Sequence, residues 1–214
     1  AALIKAWLIW ETFPQTCYNY ERMMGQVVAH MFSAIIGFLY KDDPSKRKEV
    51  MKREIEFFNV HIEFGSCILG MAVALEEQKA MGENIPGEFI TNLKTSLMGP
   101  LAGMGDTIWQ GVVIPILLAV CIDLTRSGSG NVWGAVIYAV VIVVAAYALS
   151  YWNFMFGYKA GSEAIMDFLE KGILNKLIKG ASIMGCMVMG GLIVNYVKAV
   201  CGLKIVSSTT TYSI

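Results

Sequence analysis

The chain has 214 residues, of which 56% are hydrophobic and 16% are charged, whereas a soluble domain is about 45–50% apolar and about 25% charged. Its mean hydropathy is +0.55, and its 17 Lys and Arg residues balance its 17 Asp and Glu residues. This composition excludes a disordered chain, a secreted disulfide scaffold and a nucleic-acid-binding protein, because no net positive field attracts a polyanion.

The first segment, residues 1–58, joins an aromatic-rich stretch, an apolar run and a basic helix. The aromatic residues before residue 22 indicate either ring anchors at a membrane interface or ordinary helix packing. Met23 to Tyr40 has no charged residue and predicts a first membrane-embedded helix or helical hairpin arm. After it, Asp43 and Pro44 predict the N-cap and first residue of an amphipathic basic helix. Its basic residues favour the cytoplasmic side, although a merely solvated helix face explains them equally well.

Residues 59–125 form the predicted core, with two apolar stretches, Phe64 to Leu75 and Thr95 to Gly105, that are too short to cross ~30 Å as helices. Polar residues crowd the ends of both. A carboxylate at membrane depth costs roughly 2.5–3.5 kcal/mol. Irregular backbone at that depth persists only where it is buried in protein or lines a wet cavity. We therefore predict two re-entrant or broken helical hairpins, as in transporters. Interfacial helices with solvated charges are the alternative.

The second short stretch is also predicted to contain a tight reversal, because glycine permits unusual φ angles and proline removes a donor. The residues of this structural turn are Gly99, Pro100, Gly103 and Gly105. Asp106 follows directly and either caps the next helix or binds a ligand.

The polar residues around these hairpins suit a neutral polyol, since carboxylates, amides and imidazole match sugar hydroxyls and an indole ring matches the C–H face of a sugar. The candidate substrate-binding residues are Glu76, Glu77, Gln78, Asn59, His61, Asp106, Thr107, Trp109 and Gln110. Consecutive helical residues point about 100° apart, so Glu76, Glu77 and Gln78 cannot all face one ligand. An ion-coupled carrier also requires acidic residues in the membrane, so composition does not separate the two uses.

Residues 126–205 are predicted to form transmembrane helices, followed by a polar tail, residues 206–214, at a truncated end. Ser127 to Tyr158 carries no charged residue and is long enough to span a bilayer as one helix. Gly180 to Val197 is a further uncharged run. Together with Met23 to Tyr40 and Thr107 to Ile122, these runs predict an all-α polytopic membrane protein.

No residues indicate catalytic or metal chemistry on this chain. The cysteines form no CxxC pair, the two histidines lack zinc-site spacing, and neither a phosphate-binding loop nor a GxSxG nucleophile motif occurs. We therefore expect no catalytic residue, no metal and no cofactor.

Two motifs carry a family resemblance. GMAVALEEQKAMG, from Gly70 to Gly82, and LKTSLMGPLAGMGDTIWQGVVIPIL, from Leu93 to Leu117, resemble the IID component of mannose-family phosphotransferase-system (PTS) sugar permeases. The likeness spans residues 1–205, and NYERMMG and YKAGSEAI support it. One departure is Trp109-Gln110, where family members often carry two aromatic residues, which puts the sugar preference in doubt.

The resemblance implies a non-catalytic membrane subunit that pairs with an inverted-repeat relative, the IIC subunit, in a trimer of heterodimers in the bacterial cytoplasmic membrane. An elevator-like motion would carry a hexose-type sugar, phosphorylated by IIB, which IIA recharges. No residue of the IID subunit itself is phosphorylated. Some members are also bacteriocin receptors, a role that the resemblance allows here. Two other readings stay open: a stand-alone ion-coupled secondary transporter and a purely structural membrane subunit.

Overall fold

The computed structural model describes residues 2–126, 132–171, 204–206 and 211–213, together with isolated helical positions between 183 and 197. The elements in chain order are α1 (Ala2–Thr12), α2 (Gly25–Leu39), α3 (Pro44–Glu54), α4 (Ile62–Ala80), α5 (Gly87–Gly105), a π-helical segment (Asp106–Val113), α6 (Ile114–Arg126), α7 (Trp133–Lys171), β1 (Lys204–Val206) and β2 (Thr211–Ser213). The protein is thus mostly helical. Among the described residues the departure from the all-α expectation is the antiparallel β1–β2 pair, which lies across the expected start of the tail.

The basic helix α3 begins where the sequence predicts. Oδ1 of Asp43 accepts hydrogen bonds from the backbone N–H groups of Ser45 at 3.1 Å and Lys46 at 3.0 Å, and Pro44 occupies the first turn. These bonds lower the pKa of Asp43. The largest effect comes from a further hydrogen bond donated by the Ser45 hydroxyl, and the next largest from the Lys46 backbone N–H. The predicted N-cap is confirmed.

The core is centred on α4, which packs most extensively against α7. Glycines allow these two helices to approach closely: a Cβ at Gly70 would meet the backbone of Phe154, and one at Gly157 would meet the backbone of Cys67. Close backbone approach at small residues is the usual way in which membrane helices associate. The first predicted short stretch, Phe64 to Leu75, lies within α4, which is one unbroken helix of 19 residues.

The predicted reversal in the second stretch is wrong. α5 runs through Gly99, Pro100 and Gly103 to Gly105 and continues into the π-helical segment and α6. A helix tolerates proline at membrane depth because neighbouring groups and local changes in helical pitch satisfy the freed backbone. Gly99 and Gly103 lie inside this helix, so neither provides a turn. Both face open space, with no atom within 4 Å of a Cβ built there.

Two described helices are long and apolar enough to cross a membrane. They are Gly87–Ile122, of 36 residues, and Trp133–Gly161, of 29 residues. Only 24% and 11% of their most apolar windows are buried within the chain, so most of this apolar surface faces lipid or another polypeptide. The helix within Met23 to Tyr40 is shorter, Gly25–Leu39, and the predicted run Gly180 to Val197 falls largely outside the described residues.

Candidate functional site

A cleft of about 770 Å³ opens between the start of α4 and the π-helical segment. Ligand pockets commonly have volumes of about 300–1,000 Å³, so the cleft is large enough for a small polar molecule. Its lining comprises Gln15, Tyr18, Met24, Asn59, Val60, His61, Ile62, Glu63, Ala102, Asp106, Trp109, Gln110 and Ile114.

One wall of the cleft is an extended strand of backbone that enters α4. It is fixed to the preceding loop by hydrogen bonds from Met24 N–H to the Phe58 carbonyl, at 2.8 Å, and from Phe58 N–H to the Arg22 carbonyl, at 3.2 Å. The hydroxyl of Tyr18 donates to Oδ1 of Asn59 at 3.3 Å. This wall therefore holds Asn59 at the cleft through backbone contacts distant in sequence.

The His61 side chain is confined on three sides. Its Nδ1 lies 3.0 Å from Oε2 of Glu63, and its ring contacts the edge of Phe64 with centroids 5.7 Å apart. On the third side the ring lies against Gly105, where a Cβ would overlap it. The imidazole consequently has a fixed position in the wall.

The opposite wall is the π-helical segment. Asp106 and Gln110 are exposed, whereas Trp109 is 8% exposed and Thr107 is buried. The Thr107 hydroxyl donates to the Gly103 carbonyl at 2.6 Å and does not line the cleft. No side-chain cap is formed at Asp106, because the helix continues through it. The capping role is thus wrong, and the Asp106 carboxylate faces the cleft instead.

The described lining contains two carboxylates, Glu63 and Asp106, one imidazole and several amide or hydroxyl groups, but neither Lys nor Arg. Carboxylates accept hydrogen bonds, and amides both donate and accept them. A donor-rich neutral ligand therefore fits the lining, whereas an anion would meet acidic groups without basic partners.

A second polar cluster lies at the other end of α4 and is buried. The Glu76 carboxylate pairs with the Arg53 guanidinium and accepts a bond from the Tyr40 hydroxyl at 3.5 Å. The Glu54 carboxylate accepts from Nζ of Lys94 at 2.7 Å. Glu54 and Glu76 are 0% exposed, Lys94 is 5% and Arg53 is 9%. We call these four charged residues the buried ion network.

Glu77 and Gln78 belong to neither group. The Tyr158 hydroxyl of α7 donates to Oε2 of Glu77, and Gln78 is half-buried on α4. Neither residue lines the cleft at the start of α4. Their proposed contact with substrate stays a prediction.

Comparison with known proteins gives one consistent result. A sequence profile of the PTS system mannose/fructose/sorbose family IID component matches residues 1–214. The chain is 38% identical over 181 residues to the PTS system mannose-specific EIID component of Escherichia coli (strain K12), covering 84% of this chain and 62% of that relative. It is 34% identical over 176 residues to the fructose permease IID component of Bacillus subtilis (strain 168), covering 82% and 62%.

This chain belongs to the mannose/fructose/sorbose family of PTS IID components. It is a membrane component that spans 62% of the length of these two curated relatives. Among solved structures, a cryo-electron microscopy structure of a complex of the mannose transporter ManYZ with microcin E492 matches it with a TM-score of 0.78. The two are 34% identical, with coverage of 90% of this chain and 69% of that chain.

The structure places five of the predicted site residues of this IID component in the cleft and one, Glu76, in the buried ion network, and the remaining three lie in neither. Helix α4 separates Glu63 from Glu76 by 13 residues, or ~20 Å at 1.5 Å per residue, which is longer than a single sugar ring. One sugar cannot contact both ends at once. The cleft brings together Asn59, His61, Asp106, Trp109 and Gln110, and leaves out Glu76, Glu77, Gln78 and Thr107.

Sequence reasoning missed three polar residues of the cleft, Gln15, Tyr18 and Glu63. Glu63 lies two residues after His61, so its presence in the same wall was detectable once the helix start was fixed. Gln15 and Tyr18 come from the loop between α1 and α2, and no spacing pattern relates them to α4. Only the tertiary structure of this IID component could reveal them.

Proposed function

We propose that this chain is the IID membrane subunit of a bacterial mannose-type PTS permease, which with a IIC subunit carries a hexose-type sugar across the cytoplasmic membrane. The sugar is phosphorylated by IIB, which IIA recharges, and the chain itself supplies no phosphorylated residue. Family membership supports this role, and the relatives named for mannose and fructose define the substrate class to test.

The observation that carries the proposal is the cleft between Asn59 and Gln110, whose lining is rich in hydrogen-bonding groups and includes no Lys or Arg. In this proposal Asn59, His61, Asp106 and Gln110 bind hydroxyl groups, and the Trp109 ring packs against the C–H face of the sugar. Because reactivity comes from IIB, this chain contributes positioning, a large share of catalysis in phosphoryl transfer.

The assembly that we propose is a trimer of IIC–IID heterodimers whose core moves in an elevator-like manner against a fixed scaffold. Its support is the apolar surface of α6 and α7, which the described chain leaves uncovered. The inverted-repeat relation to IIC is part of this proposal. A bacteriocin-receptor role is also proposed, since the ManYZ neighbour was solved with microcin E492.

The test is uptake of radiolabelled mannose, fructose and sorbose by cells that lack their own IID subunit and express this chain with IIC, IIB and IIA. We expect Asp106→Asn and Gln110→Ala to lower uptake roughly 10- to 100-fold, the effect of losing a hydrogen bond of about 1.5–3 kcal/mol. Glu83→Gln, an exposed change in the α4–α5 loop, is the matched control.

Each alternative function gives a different result in the same assay. Uptake that persists without IIA and IIB would indicate an ion-coupled transporter. Normal uptake in both cleft variants, with loss of uptake only in helix-packing variants, would indicate a structural subunit. The residues at the end of α4 need a separate variant, Glu77→Gln, whose full uptake would remove Glu77 from the site.

A further inference from the structure

A partly buried carboxyl group, that of Glu11 on α1, takes no part in lining the proposed sugar cleft. Among the described residues, Oε2 of Glu11 is closed to solvent and has no hydrogen-bond partner, and no Lys or Arg pairs with Glu11. The Glu11 carboxyl has a hydrogen bond with Ser150 but no cationic partner, and an ionised carboxylate without a cation is costly to bury, whereas a protonated one is much less so. The geometry therefore favours a neutral, protonated Glu11.

The groups that act on the Glu11 carboxyl come from two elements, α4 and α7, and titratable residues of α2 and α7 pack against other residues of α1 and its end. From the start of α4 these are the Glu63 carboxylate and the His61 imidazole, and from α7 the Ser150 hydroxyl. The titratable Tyr147 and Tyr151 of α7 pack against Trp7 of α1, and His30 of α2 lies beside Phe13. Glu63 and His61 are the only ones of these that also belong to the cleft.

Ser150 is fixed and completely buried. Nε1 of Trp7 donates to its Oγ at 3.0 Å, and its Oγ lies 2.7 Å from Oγ of Ser66 on α4. Nε1 of Trp10 donates to the same Ser66 oxygen at 3.1 Å. Ser150 thus joins α1, α4 and α7, so Glu11 cannot move away from the Glu63 side without disturbing this network.

We propose that Glu11 is a positioning residue: by holding a proton it leaves the Glu63 carboxylate without a second charge on its α1 side, so that Glu63 keeps the His61 imidazole in place in the sugar cleft, opposite Asp106. Loss of that proton places a second negative charge on that side. The two carboxylates then repel each other, and the 3.0 Å contact between His61 and Glu63 is weakened. This inference rests on the proposed sugar site.

The electrostatics agree with this geometry. Burial is the largest factor that raises the pKa of Glu11 to about 7, and the charge of Glu63 raises it further, while Ser150 and His61 lower it. Because the folded pKa lies above the ordinary value of 4.5, the protonated form stabilises the folded protein. That contribution is complete below pH 4.5 and is lost as the pH rises to about 7.

The first arm of the test does not depend on transport. Infrared difference titration of the full chain purified with its IIC partner, from about pH 5 to pH 9, should show the absorption of a protonated carboxyl group disappearing near pH 7. Glu11→Gln should lack that change, and Glu83→Gln should retain it. An unchanged titration in Glu11→Gln would overturn the proposal whatever the uptake result.

The second arm measures sugar uptake against pH, with whichever of mannose, fructose and sorbose is transported. We expect the wild-type KM to rise by a factor on the order of 10 between pH 6 and pH 8, with little change in maximal rate. Glu11→Gln, which resembles the protonated form, should have a low KM at both pH values, and Glu11→Asp should restore the dependence.

A merely structural role of Glu11 would alter protein yield but leave the slope of KM against pH unchanged, and this result would overturn the inference. Failure of the proposed function gives a different pattern, since no sugar would be taken up by the wild type while the infrared change persisted. The two failures are therefore distinguishable.

Discussion

The two polar clusters at opposite ends of α4 differ in how their charges are balanced. The buried ion network pairs two carboxylates, Glu54 and Glu76, with two cations, Arg53 and Lys94. The cleft instead exposes Asp106 and includes Glu63, with His61 beside Glu63 but with neither Lys nor Arg in its described lining. A set of charges that balances internally needs no further counter-ion, whereas an open, unbalanced set retains acceptors that a ligand can reach.

The comparison assigns different tasks to the two ends of one helix. The network joins α3, α4 and α5 through buried charges. Removing one member therefore leaves another charge buried without its partner. In the cleft, the removal of a group should affect ligand binding more than folding, because water can replace it. Variants at the two ends should therefore separate stability from uptake.

The largest effect is expected from Arg53→Met, which leaves the Glu76 carboxylate buried without its cation. Breaking one partner of a buried pair costs about 3–5 kcal/mol, so thermal unfolding of the detergent-solubilised complex should occur at a much lower temperature. Lys52→Met, on the exposed face of the same helix, is the control. The double variant Arg53→Met/Glu76→Gln should regain part of the loss, and a failure to do so would argue against a direct pair.

Next in size is Gly70→Ala at the crossing of α4 and α7. A methyl group there meets the carbonyl of Phe154, and overpacking costs typically about 1–3 kcal/mol. Gly37→Ala on α2, where nothing lies within 4 Å of the added atom, should be neutral or stabilising. Equal unfolding temperatures for the two variants would show that the helices can separate freely at this point.

A smaller effect, seen in uptake rather than stability, is expected from Gly105→Ala. The added methyl group overlaps the His61 ring, whose Nδ1 is 2.8 Å from the new atom, and should displace the imidazole and raise the KM for sugar. Gly103→Ala is two residues away and meets no atom within 4 Å. Both variants gain about the same helix propensity, so the difference in KM between them isolates the ring contact.

The features that could be predicted from the sequence are those that depend on contacts between residues close together along the chain. The Asp43–Pro44 helix start was predictable because the cap bonds reach only two or three residues along the chain. The long uncharged run that begins at Ser127 likewise predicted a membrane-length helix, and the described part of it lies in the apolar helix Trp133–Gly161. Asn59, His61 and the residues from Asp106 to Gln110 were proposed together from their polarity beside apolar stretches, and the fold does place most of them in one cleft.

The features that could not be predicted depend on contacts between residues far apart in the sequence, which no local sequence pattern indicates. Proline and glycine predicted a reversal at Gly99–Gly105, but the helix continues because its environment, and not its intrinsic propensity, decides the outcome. Glu76 was predicted as one of three candidate ligands from its position at the polar end of the first apolar stretch, and its contact with sugar stays a prediction. Its partners, Arg53 and Tyr40, lie on helices more than 20 residues away, and only tertiary structure reveals that its charge is already balanced.

The smallest effect is expected from Asp43→Ala, at the opposite end of α3 from Arg53. Asp43 is in water and its contacts are local, so its loss should lower the unfolding temperature slightly and leave uptake unchanged. Because hydrogen bonds hold its pKa below the ordinary 3.8, the cap stabilises the fold above that pH and is lost as the pH falls below it. The wild type and Asp43→Ala should therefore converge in acid, and the wild type and Arg53→Met should begin to converge at a higher pH than that, because burial raises the pKa of the Glu76 carboxyl above its ordinary value. Convergence of neither pair would mean that α3 is held by packing alone, and that the charge balance at this end of α4 does not distinguish it from the cleft.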